Sequence, residues 1–406
     1  MSRFLLFVVA AAFTATAQTH WVVTWGASPA PQLANEEQMR GAHLLFANQT
    51  LREIVHTSIG GDSVRIRLSN AYGTKTLDLA SVHAAVRATE SSIAAGTDRE
   101  VTFGGRAAVS IPANAYVLSD PVTLRAPIAG DLAISIFVPG AAAGAGIHYA
   151  AQQTSYIAAG NQTTAAALTD PVKITSWVFL SSVEVLNAES AATLVAFGDS
   201  ITDGAHSTVD GNHRWPDVLA ARLLKVHGPR IGVLDAGIGG NRILHDPADN
   251  PRFGVNALAR FDRDVLSQPN VKYLIILEGI NDLGHAGTSA PVSETVSAED
   301  IIAGLRQMIE RAHEKGIKVY GATLTPFEGT TIAGYFSPEK EVKRKAINEW
   351  IRNGHAFDGV VDFDKAIRDP EHPDRMRAKY DGGDRLHPGD AGYQAMGEAI
   401  DLALFR

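Results

Sequence analysis

The sequence predicts a chain in two parts, a β-sandwich-like region followed by an α/β region whose parallel sheet has a flavodoxin-like strand order. Three observations carry this. At 406 residues the chain exceeds the size at which one hydrophobic core usually keeps growing. Its first half shows apolar alternation of period 2, broken by turn residues. From Asn187-Ala188-Glu189-Ser190 onward, short apolar runs alternate with helical patterns, which implies a parallel sheet covered on both faces. The expected division is a leader over 1–17, a β region over 18–190 and an α/β region over 191–406.

The leader is read from Arg3, the apolar run Phe4 to Phe13 and the small-x-small sequence Ala15-Thr16-Ala17. That is the pattern a signal peptidase cuts after. The run is shorter than the roughly 20 residues of a permanent membrane span, and no later segment matches one. A secreted or periplasmic protein, free of the membrane after cleavage at Ala17, is the expectation.

In the β region Val64-Arg65-Ile66-Arg67-Leu68 alternates apolar and charged residues, as a strand with one buried face does. Leu132, Ile134, Ile136 and Val138 repeat the pattern until Pro139-Gly140, and Ile174 to Leu186 is again β-rich. Gly60-Gly61-Asp62, Ala71-Tyr72-Gly73 and Gly104-Gly105 supply turns between the runs. No amphipathic helix is expected here, and the Ala/Gly run at 141–146 reads as a flexible loop.

In the α/β region Leu194-Val195-Ala196-Phe197 is a buried strand stopped by Gly198. Trp215, Leu219, Leu223 and Val226 fall at helical spacing, with Pro216 in the first turn and Gly228 as a stop. Ile231 to Leu234 and Tyr273 to Leu277 read as two more strands. Ile301, Leu305, Met308 and Ala312 form a helical stripe, with Ser297 as N-cap and Asp300 three residues on. Lys318 to Ala322 and Val360 to Phe363 complete five strands, and a last helix runs from about Asp390 to Leu404.

Composition narrows the function. Apolar content of 45% and charged content of 20% are ordinary for folded chains. A net charge of −8, from 36 Lys+Arg and 44 Asp+Glu, argues against a nucleic-acid partner. With no cysteine, thiol catalysis, thiolate metal sites and disulfides are all excluded.

Ligands of open parallel sheets bind beyond the carboxyl ends of the strands. The first strand is followed there by Gly198-Asp199-Ser200-Ile201-Thr202-Asp203-Gly204, the second by Gly237-Ile238-Gly239-Gly240-Asn241 and the third by Glu278-Gly279-Ile280-Asn281-Asp282. Asp384-Arg385-Leu386-His387-Pro388 precedes the last helix. A serine, a glycine pair, an asparagine and an Asp/His pair are the parts of an acyl-transfer site. Ser200 alone reads equally as a helix N-cap, and His387 is one of 14 histidines. Gly240 alone reads as a tight turn and Asn281 as a loop-capping amide. Four such readings coinciding in four loops is a poor accident. Two residues separate Asp384 from His387, so one short turn can present both. A carboxylate there fixes the imidazole tautomer and stabilises the imidazolium formed when the base takes the serine proton. The backbone N–H groups of Ser200 and Gly240 and the Asn281 side-chain amide are the candidate oxyanion donors.

These blocks resemble the SGNH hydrolases, also called GDSL esterases. The resemblance runs through Phe197 to Gly204, Gly240-Asn241, Gly279-Ile280-Asn281-Asp282, Asp384 to Pro388 and Gly392-Tyr393, with isoleucine at 201 where the nickname has leucine. It implies a three-layer α/β/α fold, Ser200 as nucleophile, His387 as base, Asp384 as its orienter, and Ser200, Gly240 and Asn281 as the oxyanion hole. No cofactor and no metal are implied. The G-x-S-x-G surround of the α/β-hydrolase elbow is absent. Trp25-Gly26-Ala27-Ser28-Pro29 and Arg214-Trp215-Pro216 resemble a secreted bacterial subgroup with an added β domain, which implies small-molecule or carbohydrate ester substrates, O-acetyl groups among them. The rival reading is a carbohydrate-binding protein with a relic hydrolase domain. The intact five-residue set stands against it, because a relic need keep none of them.

Weaker patterns get blander readings. Gly237 to Asn241 lacks the full dinucleotide-loop spacing. Asp199, Asp203 and Asp282 read as loop hydrogen-bonding groups before metal ligands, and His245 and Asp246 as a solvated loop. Arg260 and Arg263, beside Asp262 and Asp264, read as surface salt bridges. Trp21, Trp25 and Trp177 read as core or interface packing.

Overall fold

The structure, a computed structural model, describes residues 19–188 and 191–406. The expected leader, 1–17, lies outside the described residues.

Two antiparallel sheets occupy the N-terminal region. One pairs Thr19–Gly26, Leu180–Ala188, Val64–Ser69 and Tyr116–Leu118 in that order. The other pairs Val172–Ile174, Ser155–Ala159, Gln49–Thr57, Gly130–Val138, Ser81–Val86 and Arg99–Glu100. Period-2 alternation sends Leu132, Ile134, Ile136 and Val138 into one core with Ile66, Leu68, Val183 and Val185 of the facing sheet. Trp25 and Trp177 meet edge to face there at 4.8 Å, so both are core residues. Trp21 carries the Arg65 guanidinium on its ring.

Two details depart from expectation. The run at 141–146 is built into the fold: Ala142–Ala143 pairs with Leu45–Phe46, the Gly144 N–H donates to the Leu44 carbonyl at 2.7 Å, and Ala145 is buried. Small side chains let this segment pass close to its neighbours, which composition alone reads as flexibility. A six-residue helix, Glu36–Gly41, also sits among the strands.

The C-terminal region holds five parallel strands: Ala192–Gly198, Ile231–Gly237, Val271–Leu277, Lys318–Ala322 and Gly359–Val361. Their order across the sheet is second, first, third, fourth, fifth, the flavodoxin-like arrangement. Helices Trp215–His227, Ala298–His313, Pro338–Asn353 and Asp390–Ala399 cover it. Ser297 and Asp300 form the expected reciprocal cap. Trp215, Leu219 and Leu223 are buried, whereas Val226 in the final turn is 61% exposed.

The second strand lies at one edge of this sheet, and the N-terminal region covers it. The Val233 N–H donates to Ser58 Oγ at 3.0 Å, and the Val23 N–H donates to Thr193 Oγ1 at 3.0 Å. The edge strand thereby gains a partner at Val233, and the neighbouring first strand is tied to the same region through Thr193. Gly232 makes the approach possible: a Cβ there would stand 1.9 Å from the Val23 carbonyl oxygen.

Candidate active site

The first strand ends at Gly198, where a Cβ would lie 2.2 Å from Thr202 Oγ1 and 2.5 Å from the Leu277 carbonyl. Only glycine lets the chain turn here this tightly. Asp199, not Ser200, is the cap of the one-turn helix Ser200–Asp203, accepting the Ile201 N–H at 2.9 Å. Ser200 is therefore relieved of the capping role, and its Oγ lies 2.8 Å from His387 Nε2. His387 Nδ1 is 2.6 Å from Asp384 Oδ2. The other Asp384 oxygen accepts the backbone N–H of Leu386 at 2.9 Å and of His387 at 2.8 Å, so one turn aims both side chains. A carboxylate can only accept, so Nδ1 carries the proton and Nε2 is left to accept from the Ser200 hydroxyl. Burial pushes the Asp384 carboxyl upward, but the His387 hydrogen bond and charge and the two backbone N–H groups hold it well below the usual carboxylate range.

On the other flank Asp203 Oδ2 accepts the Gly239 N–H at 3.0 Å. The next N–H, that of Gly240, has no acceptor among the described residues. Gly240 sits at φ +75°, and a Cβ would press into the Phe253 ring at 2.2 Å, so this position requires glycine on two counts. Asn281 donates through Nδ2 to the Asn241 carbonyl at 2.9 Å and accepts the Tyr335 hydroxyl through Oδ1 at 2.7 Å. These partners fix which way its amide points. Asn241 donates to the carbonyls of Phe253 and Val255 and so ties down the loop after the second strand. Asp282 accepts the Ile243 and Leu244 N–H groups at 2.8 and 3.0 Å. A cleft of about 320 Å³ brings Ser200, Gly240, Asn281 and His387 to one surface, with Ala30, His148 and Tyr149 of the N-terminal region opposite.

All five sequence-selected residues thus meet at this cleft, Asp384 through His387. His245 and Asp246 do not line it. Arg260 is a correction. Far from the surface, its side chain is fully buried, donating to Asn241 Oδ1, the carbonyls of Gly198 and Ala236, and Asp264 Oδ2, over the Phe197 ring at 4.0 Å. Arg263 likewise binds Asp264 and the Pro29 carbonyl at the junction of the two regions. A charge pattern in sequence cannot show that the carbonyls of two strand ends would take a guanidinium inside.

Beneath Ser200, Asp199 faces Glu278. Neither Glu278 oxygen nor Asp199 Oδ2 has a hydrogen-bond partner among the described residues; the Arg260 guanidinium lies 3.7 Å from Glu278. Burial pushes Asp199 up to about 7, and burial with the neighbouring Asp199 charge pushes Glu278 well above its ordinary value. Burial thus favours the protonated form of both carboxyls. Sequence reading missed four neighbours of the site: His148, Tyr335, His206 and His285. His206 stacks on the His387 ring at 5.2 Å, with Nε2 3.5 Å from Asp384 Oδ2. His206, Asp384 and His387 make the one metal-competent group of three among the described residues; Asp199, Asp203 and Asp282 do not form one. His285 lines the cleft, and burial with the Arg242 and Lys340 charges lowers it to about 4, leaving it neutral near pH 7.

Comparison with known proteins decides the family. The GDSL-like Lipase/Acylhydrolase family model matches residues 196–395. Over those residues the chain belongs to the GDSL-like Lipase/Acylhydrolase family. All four sequence blocks, the Asp384–His387 turn included, fall inside this GDSL-like domain, which is an acylhydrolase domain by family. Similar solved structures include an aryl esterase from M. smegmatis, 18% identical, covering 52% of this chain and 96% of that one at a TM-score of 0.40. A carbohydrate acetylesterase from Sinorhizobium meliloti is 18% identical, covering 52% and 96% at a TM-score of 0.39. A GDSL-like lipase from Bacteroides thetaiotaomicron is 20% identical, covering 52% and 87% at a TM-score of 0.36. No curated protein matches the chain.

Proposed function

We propose that the chain hydrolyses short-acyl carboxylic esters through an acyl-enzyme on Ser200. The observation that carries this is the unbroken line Asp384–His387–Ser200, 2.6 and 2.8 Å long in its two bonds, ending at a cleft onto which the Gly240 loop and Asn281 open. His387 Nε2 takes the hydroxyl proton as Ser200 Oγ attacks the ester carbonyl. The oxyanion is received by the N–H groups of Ser200 and Gly240 and by the second N–H of the Asn281 amide. His387 then protonates the leaving alcohol. Water, activated by the same nitrogen, releases the acid and frees Ser200.

A cleft of about 320 Å³ lies near the small end of ligand pockets and supports a short acyl group. Ala15-Thr16-Ala17 and the apolar run before it support export with cleavage after Ala17. An exported short-acyl esterase acts outside the cytoplasm, where O-acetyl groups on carbohydrate are the natural substrate class we assign.

A p-nitrophenyl ester series from acetate to laurate, together with an acetylated polysaccharide, tests this. Wild-type turnover should be greatest at the shortest acyl chains with acetate released from the polymer, and Ser200→Ala should lower kcat by about 10⁴-fold or more. Equal rates for wild type and Ser200→Ala would sink the proposal. No turnover by either, with retained polysaccharide binding, would restore the binding-protein reading.

A further inference from the structure

The N-terminal region reaches the catalytic cleft through one buried histidine. His148 is 5% exposed and is held by its backbone, which exchanges two hydrogen bonds with Trp177 at 2.8 and 3.0 Å. Its ring lies on the Trp177 indole at 5.5 Å. Nδ1 is 3.1 Å from the Ser28 carbonyl oxygen, and Nε2 is 2.9 Å from Asp203 Oδ1.

The protons follow from these partners. A carbonyl oxygen only accepts, so Nδ1 must carry hydrogen. A neutral ring would then turn a bare Nε2 toward a carboxylate oxygen, acceptor against acceptor. Both bonds exist together when the ring is an imidazolium and Asp203 a carboxylate. Burial opposes that charge, but the charge and hydrogen bond of Asp203 outweigh it and raise the imidazole above its ordinary value; the Arg214 charge acts the other way.

The second oxygen of the same carboxylate accepts the Gly239 N–H, and the next N–H along is the one Gly240 turns to the cleft. A line therefore runs from the Ser28 carbonyl through His148, Asp203 and Gly239 to Gly240. Asp203 cannot swing away from Gly239 without breaking its bond to an imidazolium inside the protein, and a buried charge that loses its partner is costly.

We propose that His148 is a positioning residue for ester hydrolysis: by clamping Asp203 it sets the Gly239–Gly240 turn, so the N-terminal β region completes the oxyanion hole of the C-terminal region. This rests on the ester-hydrolase reading above. His148 touches no reacting atom in it; its effect passes through Asp203.

Two near-isosteric variants separate positioning from folding. In His148→Gln the side-chain amide can reach the place of Nε2 and donate to Asp203, losing Ser28. In His148→Asn it reaches only the place of Nδ1, keeping Ser28 and losing Asp203. We would measure kcat and KM on p-nitrophenyl acetate, the rate of covalent labelling by a fluorophosphonate and the melting temperature. The phosphoryl oxygen of that probe needs the same donors, whatever the natural ester. Losing one oxyanion donor costs about 10²- to 10³-fold, so a misplaced one should cost about 10- to 100-fold. His148→Asn should show that loss in kcat and in labelling, with KM within about twofold, while His148→Gln stays within about fivefold of wild type. The proposal is overturned if both variants keep wild-type kcat and labelling. It is equally overturned if both fall together in kcat, KM and melting temperature, which is the pattern of a purely structural histidine. A wild type that neither turns over esters nor labels, with Ser200→Ala indistinguishable from it, would instead remove the ester-hydrolase reading itself.

Discussion

The two flanks of Ser200 are built on opposite plans. On the base side the hydrogen-bonded pair is local: Asp384 and His387 are three residues apart, joined by side-chain and backbone bonds within one turn, and their side chains are 16% and 13% exposed. On the donor side everything is distant and buried. Tyr335 orients Asn281 across 54 positions, Arg260 links Asn241 to two strand ends, and His148 reaches Asp203 from the other region of the chain. A locally closed turn can lose its chemistry while the fold stands. Where one buried guanidinium ties several elements together, as Arg260 does on the donor side, both should be lost together.

The largest expected effect tests the first half of that contrast. Asp384→Asn can keep its oxygen toward the Leu386 and His387 N–H groups but turns an amide toward Nδ1, favouring the wrong tautomer. We expect kcat to fall by about 10⁴-fold with little change in KM or melting temperature. A large loss of stability would break the comparison.

Next is Arg260→Met, on the donor side. Removing one partner of a buried ion pair costs about 3–5 kcal/mol, and here it would also free Asn241 and the Gly198 carbonyl. Urea unfolding should show a loss of that order alongside reduced kcat in the folded fraction. A stable variant with full activity would show the buried guanidinium to be dispensable.

The smallest effect concerns the floor of the site. Asp199 titrates at about 7 in the fold against an ordinary 3.8, so between those values the folded chain holds a proton that the unfolded chain has released. Stability contributed by this group therefore falls as pH rises from about 4 to about 7, and is flat above. Asp199→Asn, which keeps the cap on Ile201, should reduce that slope in denaturation series at pH 5, 6, 7 and 8. An unchanged slope would mean that burial does not raise the Asp199 carboxyl as described.

The same contrast explains what could be read from sequence. The five strands, the reciprocal cap at Ser297 and the Asp384–His387 turn are short-range patterns, and spacing along the chain is all they need. Ser200, Gly240 and Asn281 were legible because each stands at a strand end, where this sheet type gathers ligands. Tyr335 and His148 were not, since nothing beside them in sequence marks a partner 54 or 55 positions away. Arg260 was misread because its acidic neighbours suggested solvent, while its carbonyl partners come from strands that only folding brings together. The run at 141–146 was misread because small residues permit both flexibility and close packing.

Gly232 bears on how such a chain could be inherited or re-engineered. With the Val23 carbonyl seated where its side chain would be, the two regions meet at this point backbone against backbone. Any hydrolase domain carrying a larger residue there would hold a grafted β region away from its sheet edge and pull His148 back from the cleft.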